Sequence, residues 1–507
     1  MTAPIRSVGI DLGTTLCSVA YVDDDGRTKM VPNALGEILT PSYVLFEDDA
    51  VIVGKEARKH AAILPDRVAY LVKRDMGQKV YSRPIMGSYM PPEVIQACVL
   101  RQLQADAAKV VRGRFQTVIT VPAYFDETRR RATADAGQMA GLEVLDIVNE
   151  PTTAALSFGE ALGYLTPQGQ AKDRMRVLVY DLGGGTFDAT LLDLAPGQFK
   201  TIATDGDVRL GGHDWDARLA DYAAAQFIRE HGNDAREHPV TYHKLLIDAE
   251  EAKHALTVRT MAKLAIEHFG NKTEVSVSRT QFESMSADLL QRTSHTVRQL
   301  LNAANCKWSD VNRILLVGGS TRMPMVAKML RQVAGVTAEQ KVNPDEAVAR
   351  GAALYGAHLL GQRGPKPAAA NFSVTNVNAH SLGVRGIDQA TKIKRNSILI
   401  KKNTQLPAAA SKKFVTKQAN QTSLAIQVLE GESLNPDECI TVGQALIRDL
   451  PPGLPEGYPV EVTFAYGTNG RLNVRVLVPG TNVERQLDFV ADRQKLTLSQ
   501  LPPARQG

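Results

Sequence analysis

The sequence predicts an α/β architecture over about the first 360 residues, followed by an all-β carboxy-terminal third. Three observations carry this. Short runs rich in Val, Ile and Leu alternate with longer amphipathic stretches; near residue 360 that alternation stops; and an apolar run ending in Asp-Leu-Gly occurs twice, about 170 residues apart. A chain of 507 residues exceeds one ordinary domain, and its 44% hydrophobic and 22% charged content suits a globular protein with ample core.

The elements follow in order. "RSVGIDLGTTLCS" (residues 6–18) opens on an apolar strand. "TVITVPAYF", "RVLVYDLG" and "RILLVGGST" have the composition of strands buried on both faces. Between them "PPEVIQACVLRQLQADAAKVV" sets Ile95, Val99, Leu103 and Ala107 at four-residue spacing after a proline pair suited to a helix start. "NPDEAVARGAALYGAHLL" predicts another helix, with Pro344 near its first turn. Pro, Gly and Ala dominate "GQRGPKPAAANF" (residues 361–372), which has the texture of a linker. Beyond it Leu424, Ile426 and Val428 alternate on one face. Val460, Val462 and Phe464 precede an Asn469-Gly470 turn, and Leu472, Val474 and Val476 follow it, a β-hairpin pattern. With no long helix expected after Asn371, a β-sandwich is predicted.

Composition excludes several classes. Cys17, Cys98, Cys306 and Cys439 stand singly, so neither a disulfide framework nor a zinc site is expected. The start "MTAPIRS" carries no apolar signal segment and no run is long enough to span a membrane, so a cytoplasmic protein without membrane or nucleic-acid partners is expected. The net charge of +5 is small, but sixteen Lys and Arg against eleven Asp and Glu follow residue 370, so the whole excess lies there, much of it between Arg385 and Lys417. A solvated basic face and a preference for acidic partners both fit this distribution.

The repeated motif has a chemical use. Glycines let backbone N–H groups approach a phosphate, threonine hydroxyls add donors, and an aspartate at a strand end attracts the Mg²⁺ of a nucleotide through its waters. "RSVGIDLGTTLCS" and "RVLVYDLGGGTFD" (residues 176–188) share this grammar, with Asp11 and Asp181 at matching places, and "LLVGGSTRMP" supplies a third turn. No GxxxxGK[ST] loop or helix-opening GxGxxG is present. Two related halves gripping one polyphosphate define a two-lobed, actin-like ATPase fold.

These strings, with "FEDDAVIVGKEA", "LVKRDMG", "TVPAYFDETRRRATADAGQMAGLEVLDIVNEPTTAAL", "GDVRLGGHDWD" and "NPDEAVARGAALYG", resemble the 70-kDa heat-shock chaperone family across about the first 360 residues. "HSLGV", "IKKNTQLP", "LAIQVLEGE" and "YPVEVTFAYGTNGRLNV" resemble its peptide-binding sandwich. The resemblance implies an ATPase domain over residues 1–360, a linker over 361–375 and a substrate-binding sandwich over 376–507.

It also implies roles. Asp11 and Asp181 hold Mg²⁺ through water, with Glu150 organising the attacking water and the metal's shell. Lys73 reaches the γ-phosphate, and the Thr186 hydroxyl lies near it. Gly13, Thr14, Thr15, Leu16, Gly183, Gly184, Gly185, Gly211 and Gly212 form the phosphate loops. Glu250, Lys253 and His254 clamp the nucleoside, joined by Gly318, Gly319, Ser320, Arg322 and Asp345 near base and ribose. The implied cofactors are ATP or ADP with Mg²⁺, and K⁺ as a further candidate. Pro122 and Arg130 match the pair that relays nucleotide state. Without the matched strings, a surface lysine is the favoured reading of Lys73 and a helix-start acid that of Glu150.

For the sandwich the resemblance implies a peptide pocket lined by Leu382, Val384, Phe414, Leu424 and Ile426, with Ile387 near the arch; ordinary core is the alternative for each. Lys417 stands where a small apolar arch residue is usual, which implies either weaker arch closure or a preference for acidic neighbours in the peptide. His213 replaces an acid, and a shorter His254 implies weaker adenine stacking. The linker has only Phe372 and Val374 in place of an apolar acidic run, so weakened or rewired coupling is expected. The chain stops at "LSQLPPARQG", where the family continues into a helical lid, so fast peptide release is expected. The expected function is an ATP-dependent chaperone acting on unfolded or extended polypeptides, with a J-domain co-chaperone and an exchange factor as candidate partners. A nucleotide-dependent regulatory protein with one dedicated partner, and a metabolite kinase on the same fold, are the rivals.

Overall fold

The structure, a computed structural model, describes residues 5–165, 173–335, 338–339, 342–363, 372–388, 390–448, 450–467 and 471–487. The predicted Asn469-Gly470 turn, most of the predicted linker and the chain end "LSQLPPARQG" lie outside the described residues.

The repetition in the sequence is a repetition of topology. Strand Arg6–Asp11 runs antiparallel to Leu16–Val22, which runs antiparallel to Thr28–Met30. On its other side it pairs in parallel with Phe115–Val121, and that strand pairs in parallel with Val144–Asn149. The second sheet follows the same plan. Met175–Leu182 is antiparallel to Phe187–Ala195, and the latter to Gln198–Asp207; Arg313–Val317 and then Ala338–Glu339 join in parallel. Asp11 faces Ser18 across the first hairpin and Asp181 faces Asp188 across the second, so the two aspartates hold equivalent places.

Helix Ala347–Arg363 joins the two halves. Ala347 and Val348 pack into the core under the second sheet, while Ala349 and Ala353 pack against Ala20 of the first. Glycine makes this approach possible. A Cβ on Gly9 would lie 2.2 Å from the Ala353 nitrogen, and one on Gly351 1.8 Å from the Thr153 carbonyl oxygen. The helix starts three residues later than Pro344 suggests, because residues 343–346 form a turn first, and it runs past residue 360.

The carboxy-terminal part is two four-stranded antiparallel sheets. One is ordered Lys394–Ile400, Leu382–Ile387, Leu424–Glu430, Ile440–Ile447; the other Ala408–Val415, Pro459–Tyr466, Leu472–Leu477, Glu484–Leu487. The predicted hairpin strands pair with Val462 opposite Val476 and Phe464 opposite Val474, and their inward side chains enter one core with Leu382, Val384, Leu424 and Ile426. Four of the residues assigned to the peptide pocket are thus buried core here; Phe414 is half-buried at its margin and Ile387 is exposed.

The linker departs most from expectation. Ser373–Thr375 adds to the second sheet as a sixth strand, parallel to Gln198–Lys200. Phe372 is buried between the His358 ring, stacked at 4.1 Å, and the Phe199 ring at 5.8 Å. One aromatic anchor and a short parallel ladder replace a longer apolar run. The β-sandwich rests on the α/β part through Lys402–Asp205 (2.9 Å), Asn403 Oδ1 accepting from Thr204 N (3.0 Å) and Glu430 accepting from Glu127 N (3.0 Å).

Candidate active site

Where the two equivalent hairpins meet, their loops face each other across a cleft of about 870 Å³. The fit leaves no room for side chains on the second loop. A Cβ on Gly184 would lie 2.2 Å from Thr15 Oγ1 and 2.8 Å from Thr15 Cβ; one on Gly185 would lie 2.3 Å from Thr14 Cγ2. Rotating Thr15 cannot relieve a clash that includes its Cβ. Gly184→Ala is therefore expected to spread the loops and weaken binding of the nucleotide that the repeated motif implies by about tenfold or more, the scale of overpacking a tight site. Calorimetric titration with ATP measures it, and unchanged affinity would remove the close approach from the binding site.

The first loop leaves strand Arg6–Asp11 at Asp11, and Gly13, Thr14, Thr15 and the exposed Leu16 line the cleft. From the second half come Asp181, Gly183, Gly184 and Thr186, the loop being closed by Gly183 N donating to Thr186 O at 3.0 Å. Gly185, Gly211 and Gly212 back this loop rather than line the cleft: Gly212 N donates to Gly183 O at 2.9 Å, bringing the start of helix Gly212–His231 behind it. Backbone donors at a helix start favour an anion there. Arg74, from the first half, grips the same loop through Gly185 O (2.9 Å) and Asp214 (2.5 Å).

Lys73 sits in a single helical turn, Val72–Asp75, entered through Leu71 at φ 57°. Its ammonium is buried and lies 2.6 Å from Glu150 Oε1, at the start of helix Glu150–Leu162. The surface-lysine alternative is thereby excluded. Burial works against the Lys73 charge, but Glu150 and Asp11 outweigh it and raise its pKa. Burial and the Glu150 charge push Asp11 up to about 7; the same causes, with Asp188 added, hold Asp181 well above the carboxylate range. Asp188 is pushed up to about 8, by burial first and then Glu150. These carboxyl groups crowd one site with a single buried ammonium between them, an arrangement that favours an added cation.

On the far wall Lys253 pairs with Asp216 at 2.8 Å, and Glu250 reaches across the cleft to Arg58 at 2.6 Å. His254, Gly318, Gly319, Ser320 and Asp345 also line the cleft, with Ser320 Oγ donating to Gly183 O at 3.0 Å. Arg322 stays at the rim, paired with Asp345 at 2.6 Å. His213 lines the cleft as well, and burial with the nearby Arg74 charge pushes it down to about 4, so a neutral imidazole stands there. Pro122 and Arg130 lie outside. Arg130 donates to Asn149 Oδ1 at 2.5 Å and to Ile147 O at 3.1 Å, bracing the strand that presents Glu150.

Between Pro122 and helix Glu127–Met139 runs a loop that the motifs did not single out. Tyr124 N donates to Asp188 at 3.1 Å, the Tyr124 carbonyl meets His380 Nε2 at 3.0 Å, and the Phe125 ring lies 5.8 Å from Lys73 Nζ. The loop thus touches both the cleft and the β-sandwich. Asp188 was visible at the end of the second motif; Tyr124, His380, Lys402 and Asn403 carry no local signal, because only the docking of distant segments gives them partners.

Twin loops from equivalent half-domains, closing on a carboxylate-rich floor, make a cleft with the donors and charge that suit a polyphosphate and its cation. A family model described as "Hsp70 protein" matches residues 7–87 and 80–501. The chain is 37% identical over 500 residues to "Chaperone protein DnaK" of Thermotoga neapolitana, covering 97% of this chain and 81% of that protein. It is 38% identical, with the same coverage, to the proteins of that name from Thermotoga petrophila and Thermotoga maritima. The chain belongs to the Hsp70 family. It is an ATP-dependent molecular chaperone whose chemistry is ATP hydrolysis, with nucleotide and a divalent metal as cofactors. Among the described residues no helix is long and apolar enough to cross a membrane.

Proposed function

We propose that the cleft is the ATPase site of a two-lobed, actin-like domain over residues 1–360, coupled through residues 361–375 to a substrate-binding sandwich over 376–507. The observation that carries this is the buried Lys73–Glu150 pair beneath two threonine- and glycine-bearing loops from equivalent half-domains. Thr14, Thr15 and the backbone N–H group of Gly184 hold phosphate oxygens, with Gly183 and Gly185 shaping the loop that presents them. Lys73 neutralises charge at the γ-phosphate, Glu150 orients the attacking water, and Thr186 steadies the phosphoryl group. Lys253 and Glu250 bind the ribose side, with the His254 imidazole beside the base.

The metal is Mg²⁺, with K⁺ as a further candidate. Asp11 and Asp181, at equivalent strand ends lining the cleft, hold the ion through its waters, with Glu150 behind. When bound, it neutralises the phosphates. The sandwich holds unfolded or extended polypeptide, and a J-domain protein and an exchange factor are the expected helpers. Pro122 and Arg130, flanking the loop that contacts both the cleft and the sandwich, relay nucleotide state.

Thr186→Ala separates binding from chemistry. Single-turnover hydrolysis is expected to fall about 10²-fold or more, with ATP affinity within a factor of about three. Turnover at the native rate would remove Thr186 from the mechanism.

A further inference from the structure

Two strands of the sandwich lie at the ends of their sheets: Lys394–Ile400 begins one sheet and Ala408–Val415 the other. Among the described residues, Ala408–Val415 pairs only with Pro459–Tyr466, so its second edge is open to an added strand. Between the two strands lies a groove, with Ile398 and Leu434 as apolar lining and Arg395 and Lys412 as its cations. Phe414 closes the space above Gly386, where a Cβ would lie 3.4 Å from its ring.

The two chain segments that border this groove are basic, while Glu432, Asp437 and Glu438 flank Leu434 and Glu461 stands opposite Lys413. From residue 385 to 417 there are nine basic residues and one acid, Asp388. That acid is occupied: Asp388 Oδ1 accepts from the backbone N–H groups of Ala390 and Thr391, and Oδ2 lies 3.5 Å from Arg395. Arg385 is neutralised by Asp437 at 2.6 Å, and Lys402 by Asp205 in the α/β part. Lys392, Lys394, Lys412, Lys413 and Lys417 have no acidic partner within 4.0 Å among the described residues. Lys392 lies just before the first edge strand and Lys394 begins it, while Lys412 and Lys413 lie along the second and Lys417 just after it. Lysines on an open edge also keep strands from pairing with one another, and that use alone would treat all incoming peptides alike.

We propose that the groove between these edge strands selects extended segments in which an apolar residue is flanked by Asp or Glu. The inference rests on the reading that the sandwich holds extended polypeptide, and it names the class of segment. Backbone pairing along Ala408–Val415 supplies sequence-independent affinity. The unpaired ammonium groups on both sides supply selection and faster encounter.

The test uses the full chain and three fluorescent peptides with the same Leu centre, flanked by Asp/Glu, by Ser/Gln or by Lys. The acidic peptide is expected to bind about tenfold tighter than the neutral one, with the gap closing as salt shortens the reach of the charges. The triple variant Lys412→Glu, Lys413→Glu, Lys417→Glu, all at exposed positions, is expected to invert the order. A melting curve reports whether it stays folded, and Lys412→Gln with Lys413→Gln gives a milder second variant in which the acidic advantage shrinks. Equal binding of all three peptides overturns the inference and leaves the chaperone reading standing. An acidic preference that survives in both variants overturns the assignment to this groove. Failure of every peptide to bind, with ATP or with ADP, overturns the chaperone reading and the inference with it.

Discussion

Alanine at Lys73 is expected to lower single-turnover ATP hydrolysis about 10³-fold, while ATP still binds to the loops. Catalysis here depends on charge placed where phosphoryl transfer develops it, and Lys73 is the one ammonium that the structure holds against Glu150, at 2.6 Å, among carboxyl groups whose pKa values burial has raised. The substitution also has a structural cost. Side-chain exposures of 3% and 9% make this a buried pair, and removing one member of such a pair costs about 3–5 kcal/mol because the other charge is left without a partner. The nucleotide-free variant is therefore expected to melt earlier than the native chain. Lys73→Ala combined with Glu150→Ala recovers part of that melting temperature and none of the hydrolysis. A Lys73→Ala protein that hydrolyses ATP within about tenfold of the native rate would sink the assignment, since that is less than removal of a single positioned donor costs elsewhere.

Aspartate at Phe372 is expected to release the linker strand. Phe372 is the only aromatic side chain in the short segment joining the two parts, and it is enclosed by His358 and Phe199. Truncating a buried phenylalanine costs about 3–5 kcal/mol, and burying a carboxylate costs more. The ladder beyond it extends only over Ser373–Thr375, too short to stay paired after that loss. Hydrogen exchange at residues 373–375 is expected to rise to that of an exposed strand. Peptide stimulation of ATP hydrolysis is expected to vanish, with basal hydrolysis within about twofold of native, because Phe372 touches none of the cleft. Native protection at Val374 together with retained stimulation would show that the sandwich communicates by its direct contacts, through Tyr124 and Glu127, without the linker strand.

The two facing loops were legible because each is local. A run of Val, Ile and Leu, an aspartate at its end and glycines after it are contiguous, and the backbone needs nothing distant to adopt that turn. The hairpin at Val462–Val476 was legible for the same reason, through alternation. Lys73 was not legible without the family resemblance: its own neighbours are charged, and its partner Glu150 is 77 residues away. The linker's Phe372 was visible as one of its two apolar residues, but its anchoring was not, because that depends on one ring fitting between His358 and Phe199 from distant segments. Leu382, Val384, Leu424 and Ile426, which the resemblance implies as pocket lining with ordinary core as the alternative, are buried in the sandwich core; alternation in a strand fixes which face a side chain takes but not what lies opposite.

The sequence by itself determined the elements, the doubled α/β plan and the chemical type of the cleft, all set by short-range rules of backbone and pattern. Only the tertiary structure decided which groups meet. It set Gly184 against Thr15, Lys73 against Glu150, Tyr124 against His380 and an open lysine-bearing edge beside a groove that holds Ile398 and Leu434. Such contacts depend on burial and charge contributed by segments far apart in the chain, and no local stretch of sequence contains that information.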